Sequence, residues 1–161
     1  MTRRLNVLLV ILGLGCSSAE EVEMPGDVDA EKALVIRTHF ADDAGWRSAC
    51  GALRRSFDGA SAPFLLVDDR QYEGLLPAEV RSRVSRARGR GTVFLVDEVT
   101  LRRPGHPVVV VDLVGEASPN FRAVASEVAG VWDNLSLANM DFSEFANAAD
   151  EDGVFRGFRR P

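Results

Sequence analysis

The chemistry open to this chain rests on five aspartates and a histidine. Asp42 and Asp43 follow a short apolar run, with His39 just before them; Asp68 and Asp69 end the run Phe64-Leu65-Leu66-Val67, and Asp97 ends Thr92 to Val96. If those runs are parallel strands, the acids gather at the carboxyl edge of one sheet, where α/β proteins form ligand sites. Clustered carboxylates there would hold Ca2+ or Mg2+, and His39 would serve as a base or a further ligand. The competing reading is plainer: acids after strands are turn formers and helix caps. No spacing among them is diagnostic of a metal loop, so the plainer reading leads and no cofactor is expected.

One version of the acid reading can be tested against the rest of the chain. Asp68-Asp69 behind an apolar strand looks like the opening of a phosphoacceptor receiver domain, whose paired aspartates hold Mg2+. Asp112 falls 44 residues later, about where a phosphorylated aspartate would sit. A receiver also needs a late lysine, and no lysine follows Lys32. A complete strand and helix already precede Asp68, and a hairpin would send Asp112 to the opposite end of the sheet. The receiver reading fails. The second histidine, His106, lies in the loop Arg102-Arg103-Pro104-Gly105-His106-Pro107. With no Gly-x-Ser-x-Gly elbow and no His-Glu-x-x-His, the chain carries no hydrolase signature, and a non-catalytic role is expected. Arg81, Arg83, Arg86, Arg88 and Arg90 form a basic run. It reads either as a contact for an anionic surface or, more plainly, as a solvated helix face.

The elements that must hold these residues are legible in outline. Leu34 to Thr38 is a β-favouring run. After it Trp46, Ala49, Cys50, Leu53 and Phe57 recur at helical spacing. Asp42 and Asp43 stand at that helix's start, with Arg54 and Arg55 near its end, as the helix dipole favours. Cys50 lies on the apolar stripe and is expected in the core. Phe64 to Val67 reads as a second strand. Pro77 opens a second helix, with Leu76, Val80, Val84 and Ala87 as its core face. Thr92 to Val96, Val108 to Val111 and Phe121 to Val124 are further strands, and Ser126 can cap a helix through Trp132. In the last helix Asp141 is followed three residues on by Glu144, a capping box, with Met140 and Phe145 placed for a hydrophobic staple. The order β-α-β-α-β-β-β-α-α predicts an α/β fold: a mixed sheet of about five strands covered by helices. Pairing should be parallel early, where crossovers are helical, and antiparallel later.

Three segments carry a family resemblance. They are Leu34-Val35-Ile36-Arg37-Thr38 with Asp42-Asp43 and Trp46, the run VVVVDL from Val108 to Leu113, and NLSLANMDFSEFANAADEDGVFRGF from Asn134 to Phe158. Together they resemble a bacterial domain family known only as a domain of unknown function, over Ala33 to Phe158. The resemblance brings no activity, substrate or catalytic residue. Members of that family mostly start at the first strand, so what precedes Ala33 here is a departure from it.

That preceding stretch reads as an export signal. Arg3 and Arg4 are followed by an 11-residue run, Leu5 to Gly15, that is apolar almost throughout, where about 20 are needed to cross a bilayer. A charged start, a short apolar middle and small residues afterwards make the secretory pattern. Leu12-Gly13-Leu14-Gly15-Cys16 resembles a site of cysteine acylation, although Gly13 stands where a branched aliphatic is usual. The alternative is cleavage after Ala19, which would discard Cys16. Six acids and no base lie between Glu20 and Glu31, and such a segment stays solvated and extended. The expected organisation is therefore residues 1–16 as a lipoprotein-like signal, 17–32 as an acidic spacer and 33–161 as a single α/β domain.

Function is bounded rather than identified. The net charge is −5, which argues against nucleic acid as a partner because phosphate affinity needs excess Lys and Arg. The expectation is an exported protein, lipid-anchored through Cys16 on the extracytoplasmic side, acting as a binding or interaction module. Its partners would be the membrane and another protein. The alternatives are a small extracytoplasmic enzyme or divalent-metal-binding domain using Asp42, Asp43, Asp68, Asp69, Asp97 and His39, and an immunity-like or regulatory protein.

Overall fold

Strands that are apolar at every position have to be covered on both faces, and the sheet of this protein is. The computed structural model describes residues 6–8, 21–23, 32–58, 64–88, 91–114 and 120–158, with backbone alone for 6–8, 21–23 and 85–88. Six strands make up the domain's sheet: β1 (Ala33–Arg37), β2 (Phe64–Val67), β3 (Thr92–Val96), β4 (Val108–Asp112), β5 (Phe121–Ala123) and β6 (Val154–Phe155). Their order across the sheet is β2-β1-β3-β4-β5-β6. β1 is parallel to β2 and β3, β4 is antiparallel to β3 and β5, and β6 is parallel to β5. The helices are α1 (Asp43–Phe57), α2 (Pro77–Arg88), α3 (Glu98–Arg102), α4 (Val128–Ser136) and α5 (Phe142–Asn147). The mixed α/β sheet is thus as expected, with one strand more.

Alternate residues of each strand serve alternate cores. Val35, Phe94, Val96, Val108 and Val110 join Trp46, Ala49, Cys50 and Leu53 of α1 and Trp132 of α4 on one side. Leu34, Ile36, Val93, Leu95, Val109 and Val111 join Val80 and Val84 of α2 on the other. Cys50 is a buried thiol, as its place on the stripe requires. The tail closes the first core through aromatic edges: Phe121 meets Phe142 at 5.0 Å and Phe145 meets Phe155 at 5.2 Å between ring centroids. Such pairs add about 1 kcal/mol each beyond their buried area. Glu144 reaches back to accept the Asp141 N–H at 2.7 Å, completing the capping box that starts α5.

Four details depart from the reading of the sequence. Ser126 caps no helix, since it lies inside the turn Ala125–Glu127 and α4 starts after Glu127 with no side-chain cap. The five-residue α3 interrupts the connection between β3 and β4, because Asp97 caps a turn of helix too short to show a period. Val154–Phe155, beyond the last helix read from the sequence, pairs with β5 as a sixth strand. Leu76, expected in the core, is 66 % exposed. The Glu79 carboxylate accepts the Leu76 N–H at 2.8 Å, which holds residue 76 at the mouth of α2 and turns its side chain outward, while Leu75 packs inward instead. Asp112 pairs with Thr92, at the amino end of β3 and far from Asp68.

Two short strands lie outside β2. Asn6–Leu8 and Glu21–Glu23 pair antiparallel, and Leu8 stands opposite Leu66. They come from the stretches read as signal and acidic spacer. Cys16 lies outside the described residues, as do Gly13, Ala19 and Arg90.

Candidate functional site

The chain leaves β1 toward β2 and leaves β3 toward β4, in opposite directions. The carboxyl ends of β1 and β3 therefore flank the crevice where open α/β sheets take ligands. Here the strand ends bond to one another and to the chain that follows β2. The Thr38 N–H and hydroxyl both donate to the Val96 carbonyl, at 2.9 and 3.3 Å, and the Thr38 carbonyl accepts the Gly74 N–H at 2.9 Å. Gly74 has φ +72, a conformation that glycine adopts without the Cβ penalty, and this lets the chain between β2 and α2 fold down over the strand ends.

Two charged centres stand at this edge. In the first, Arg37 ends β1 with only 3 % of its surface exposed. Its Nε donates to the His39 carbonyl at 3.0 Å, one terminal nitrogen to Asp68 at 3.2 Å and the other to Asp43 at 2.6 Å. The guanidinium also lies 4.5 Å from the Phe40 ring centroid and 5.3 Å from that of Trp46. A buried cation has to be paired, and two carboxylates, a carbonyl and two ring faces meet that need. Arg70 approaches Phe40 as well, at 5.0 Å. The hydrogen bond from Arg37, reinforced by its charge, holds the Asp43 carboxyl below the usual carboxylate range.

In the second centre, Asp97 takes bonds from three directions. It accepts the Thr100 N–H and lies 2.9 Å from the Thr100 hydroxyl, capping α3, and Arg122 of β5 grips both its oxygens at 3.0 and 2.6 Å. Burial pushes the Asp97 carboxyl up, but the Arg122 bond, the Thr100 N–H and the Arg122 charge together outweigh it and hold the group below its ordinary value. Arg122 also donates to the Pro107 carbonyl at 3.0 Å. The loop before β4 is thereby tied to the same pair.

The acids singled out in the sequence do gather at one edge, in these two groups rather than in one. Asp42 caps α1 by accepting the Gly45 N–H at 2.8 Å, and Asp69 caps the turn Arg70–Tyr72 by accepting the Gln71 N–H at 2.9 Å. His39 enters through its backbone carbonyl. Every one of the five carboxylates accepts from a protein donor, and among the described residues no group of three or more His, Cys, Asp and Glu is placed to hold a metal ion. The residues that sequence reasoning passed over are Arg37, Arg122 and Thr100. Only Arg37 had a visible signal, a charge closing an otherwise apolar strand. Arg83, from the basic run, donates to the Gln71 carbonyl at 2.6 Å and lies over Tyr72, so it braces that turn.

A mixed, doubly covered α/β sheet with paired charges at its switch point is the class the fold and site define. Within it, residues 32–158 match the family described as Domain of unknown function (DUF6924), and the chain belongs to that family. A comparison with curated proteins finds no match. Among the described residues no helix is long and apolar enough to cross a membrane.

Proposed function

We propose that this protein is exported and held at a membrane by a lipid on Cys16, with its α/β domain acting as a binding or interaction module on the extracytoplasmic side. The observation that carries the module reading is that the charged and polar groups at the switch point bond to one another. Thr38, Gly74 and Arg37 spend donors and acceptors on protein partners at the switch point, which favours the outer surface for recognition. The membrane reading is supported by Arg3 and Arg4, the short apolar run, Cys16 and the acidic spacer after it. Two acyl chains on the cysteine would suffice for stable attachment where a single one is marginal. Cleavage before Cys16 would also take Asn6–Leu8 away from β2. The outer edge of Phe64–Val67 would then be open to a strand of a protein partner.

Metabolic labelling with a fatty acid tests the anchor. The wild type should carry label and sediment with membranes, and Cys16→Ser should do neither. Two unlabelled forms and a released product starting at Glu20 would sink the anchor. A thermal-shift series with Ca2+ and Mg2+ tests the module against a metal-binding domain. No shift is expected, and a stabilisation abolished by Asp68→Asn would overturn it.

A further inference from the structure

His106 is one of two described non-glycine residues with positive φ, at +47. Its ring is held at both nitrogens. Nδ1 lies 3.1 Å from the Thr100 carbonyl and Nε2 lies 2.9 Å from the Ser48 hydroxyl on α1. A carbonyl only accepts, so Nδ1 carries the hydrogen, and in the neutral imidazole Nε2 is the bare acceptor. The Ser48 hydroxyl therefore donates to a nitrogen that can take its proton. This is the arrangement of a nucleophile, its base, and a third group orienting the base.

The orienting group is itself fixed. Thr100 is bound through its N–H to Asp97, and its hydroxyl lies 2.9 Å from both Asp97 and the Pro107 carbonyl. Arg122 bridges Asp97 and Pro107, so the residues on either side of the imidazole's support are pinned by one ion pair. Ser56 shows what an ordinary hydroxyl on the same helix looks like. It donates to the Ser126 carbonyl at 3.1 Å and accepts the Ala129 N–H at 3.1 Å. A carbonyl is no base, so Ser56 has its proton tied down and nowhere to pass it. Ser48 is exposed and open to approach.

We infer that Ser48 is an activated nucleophile with His106 as its base, reactive toward small carboxylic esters. Ser48 Oγ attacks the ester carbonyl carbon. The Oγ–C bond forms and the bond to the leaving oxygen breaks, while the Ser48 proton passes to His106 Nε2 and on to the departing oxygen. The products are the free alcohol and acyl-Ser48, and water attacking with the same base returns the serine and the acid. At an exposed position water itself stabilises the developing oxyanion, so slow turnover is expected. This reactivity goes beyond the interaction role and does not depend on Cys16.

The test is labelling of the full chain with p-nitrophenyl acetate, read as p-nitrophenolate release and by mass mapping of the acetylated peptide. Ser48 should label about 100-fold faster than Ser56, the usual contribution of a positioned base. Ser48→Ala should remove the fast phase. His106→Asn should slow Ser48 by a similar factor and flatten its pH profile, and asparagine tolerates the left-handed backbone that residue 106 needs. A wild-type melting temperature in both variants shows that the fold is kept. Equal labelling of Ser48 and Ser56, or fast labelling that survives in His106→Asn, overturns the proposal.

Discussion

The two charged centres at the carboxyl edge solve opposite problems. At the first, the buried member is the cation: the Arg37 side chain is 4 % exposed, while its partner Asp43 is 70 % exposed. The acids come to the arginine, and water can share Asp43's work. At the second, both members are half-buried, Asp97 at 31 % and Arg122 at 22 %, and the acid is the hub. Asp97 caps a helix, pairs a cation from a distant strand and holds the residue that orients His106. An acid of the first kind should be replaceable one at a time; an acid of the second kind should not.

The largest effect should come from Asp97→Ala. It removes the cap of α3 and leaves Arg122 half-buried without its carboxylate, a loss of about 3 kcal/mol when charged hydrogen bonds and a cap are counted together. Urea denaturation measures it directly. A loss no greater than that of Asp43→Ala would break the contrast between the two centres.

Acid should expose the same difference. Asp43 and Asp97 both have carboxyls held below the ordinary value. Such a group contributes stability above the unfolded-state pKa of about 3.9 and loses it as pH falls through the folded value. The urea midpoint should therefore drop below about pH 4, and Asp97→Asn should flatten that drop more than Asp43→Asn does. Equal flattening would mean that the exposed acid is as deeply committed as the half-buried one.

A smaller loss is expected from Gly45→Ala, which sharpens the first centre. A Cβ at residue 45 would press on the Asp42 carboxylate and stand 3.1 Å from Leu101 Cβ. Eviction of the cap should cost about 1 kcal/mol. If Asp42→Ala in the Gly45→Ala background costs as much as it does alone, the cap was not displaced. The smallest effect belongs to Asp43→Asn: a slight fall in melting temperature that added salt erases, since exposed ion pairs are screened. A fall that persists in high salt would place Asp43 with the buried partners.

Local chemistry was readable wherever neighbours along the chain decide the outcome. Asp42 and Asp141 are caps because a carboxylate beside the first turn of a helix meets unsatisfied N–H groups there, and Cys50 is buried because its stripe repeats with the helical period. Asp112 was placed at the far end of the sheet by pairing direction alone. The pairs that build the edge were not readable. Arg37 reaches Asp68 across 31 residues, Asp97 reaches Arg122 across 25, and Ser48 reaches His106 across 58. Nothing in spacing links them, since each contact exists only once the sheet has brought distant loops together.

What the chain settles by itself is five of its six strands, the caps at Asp42 and Asp141, the aspartates that follow its strands, and its place in the DUF6924 family over residues 32–158. Those follow from period, propensity and short-range hydrogen bonding. Which cation each aspartate meets, the bond from Gly74 to Thr38, and the hold on both nitrogens of His106 were decided by the tertiary structure. A side chain's partner depends on strand order and crossing direction, and these emerge from burying both faces of the sheet at once.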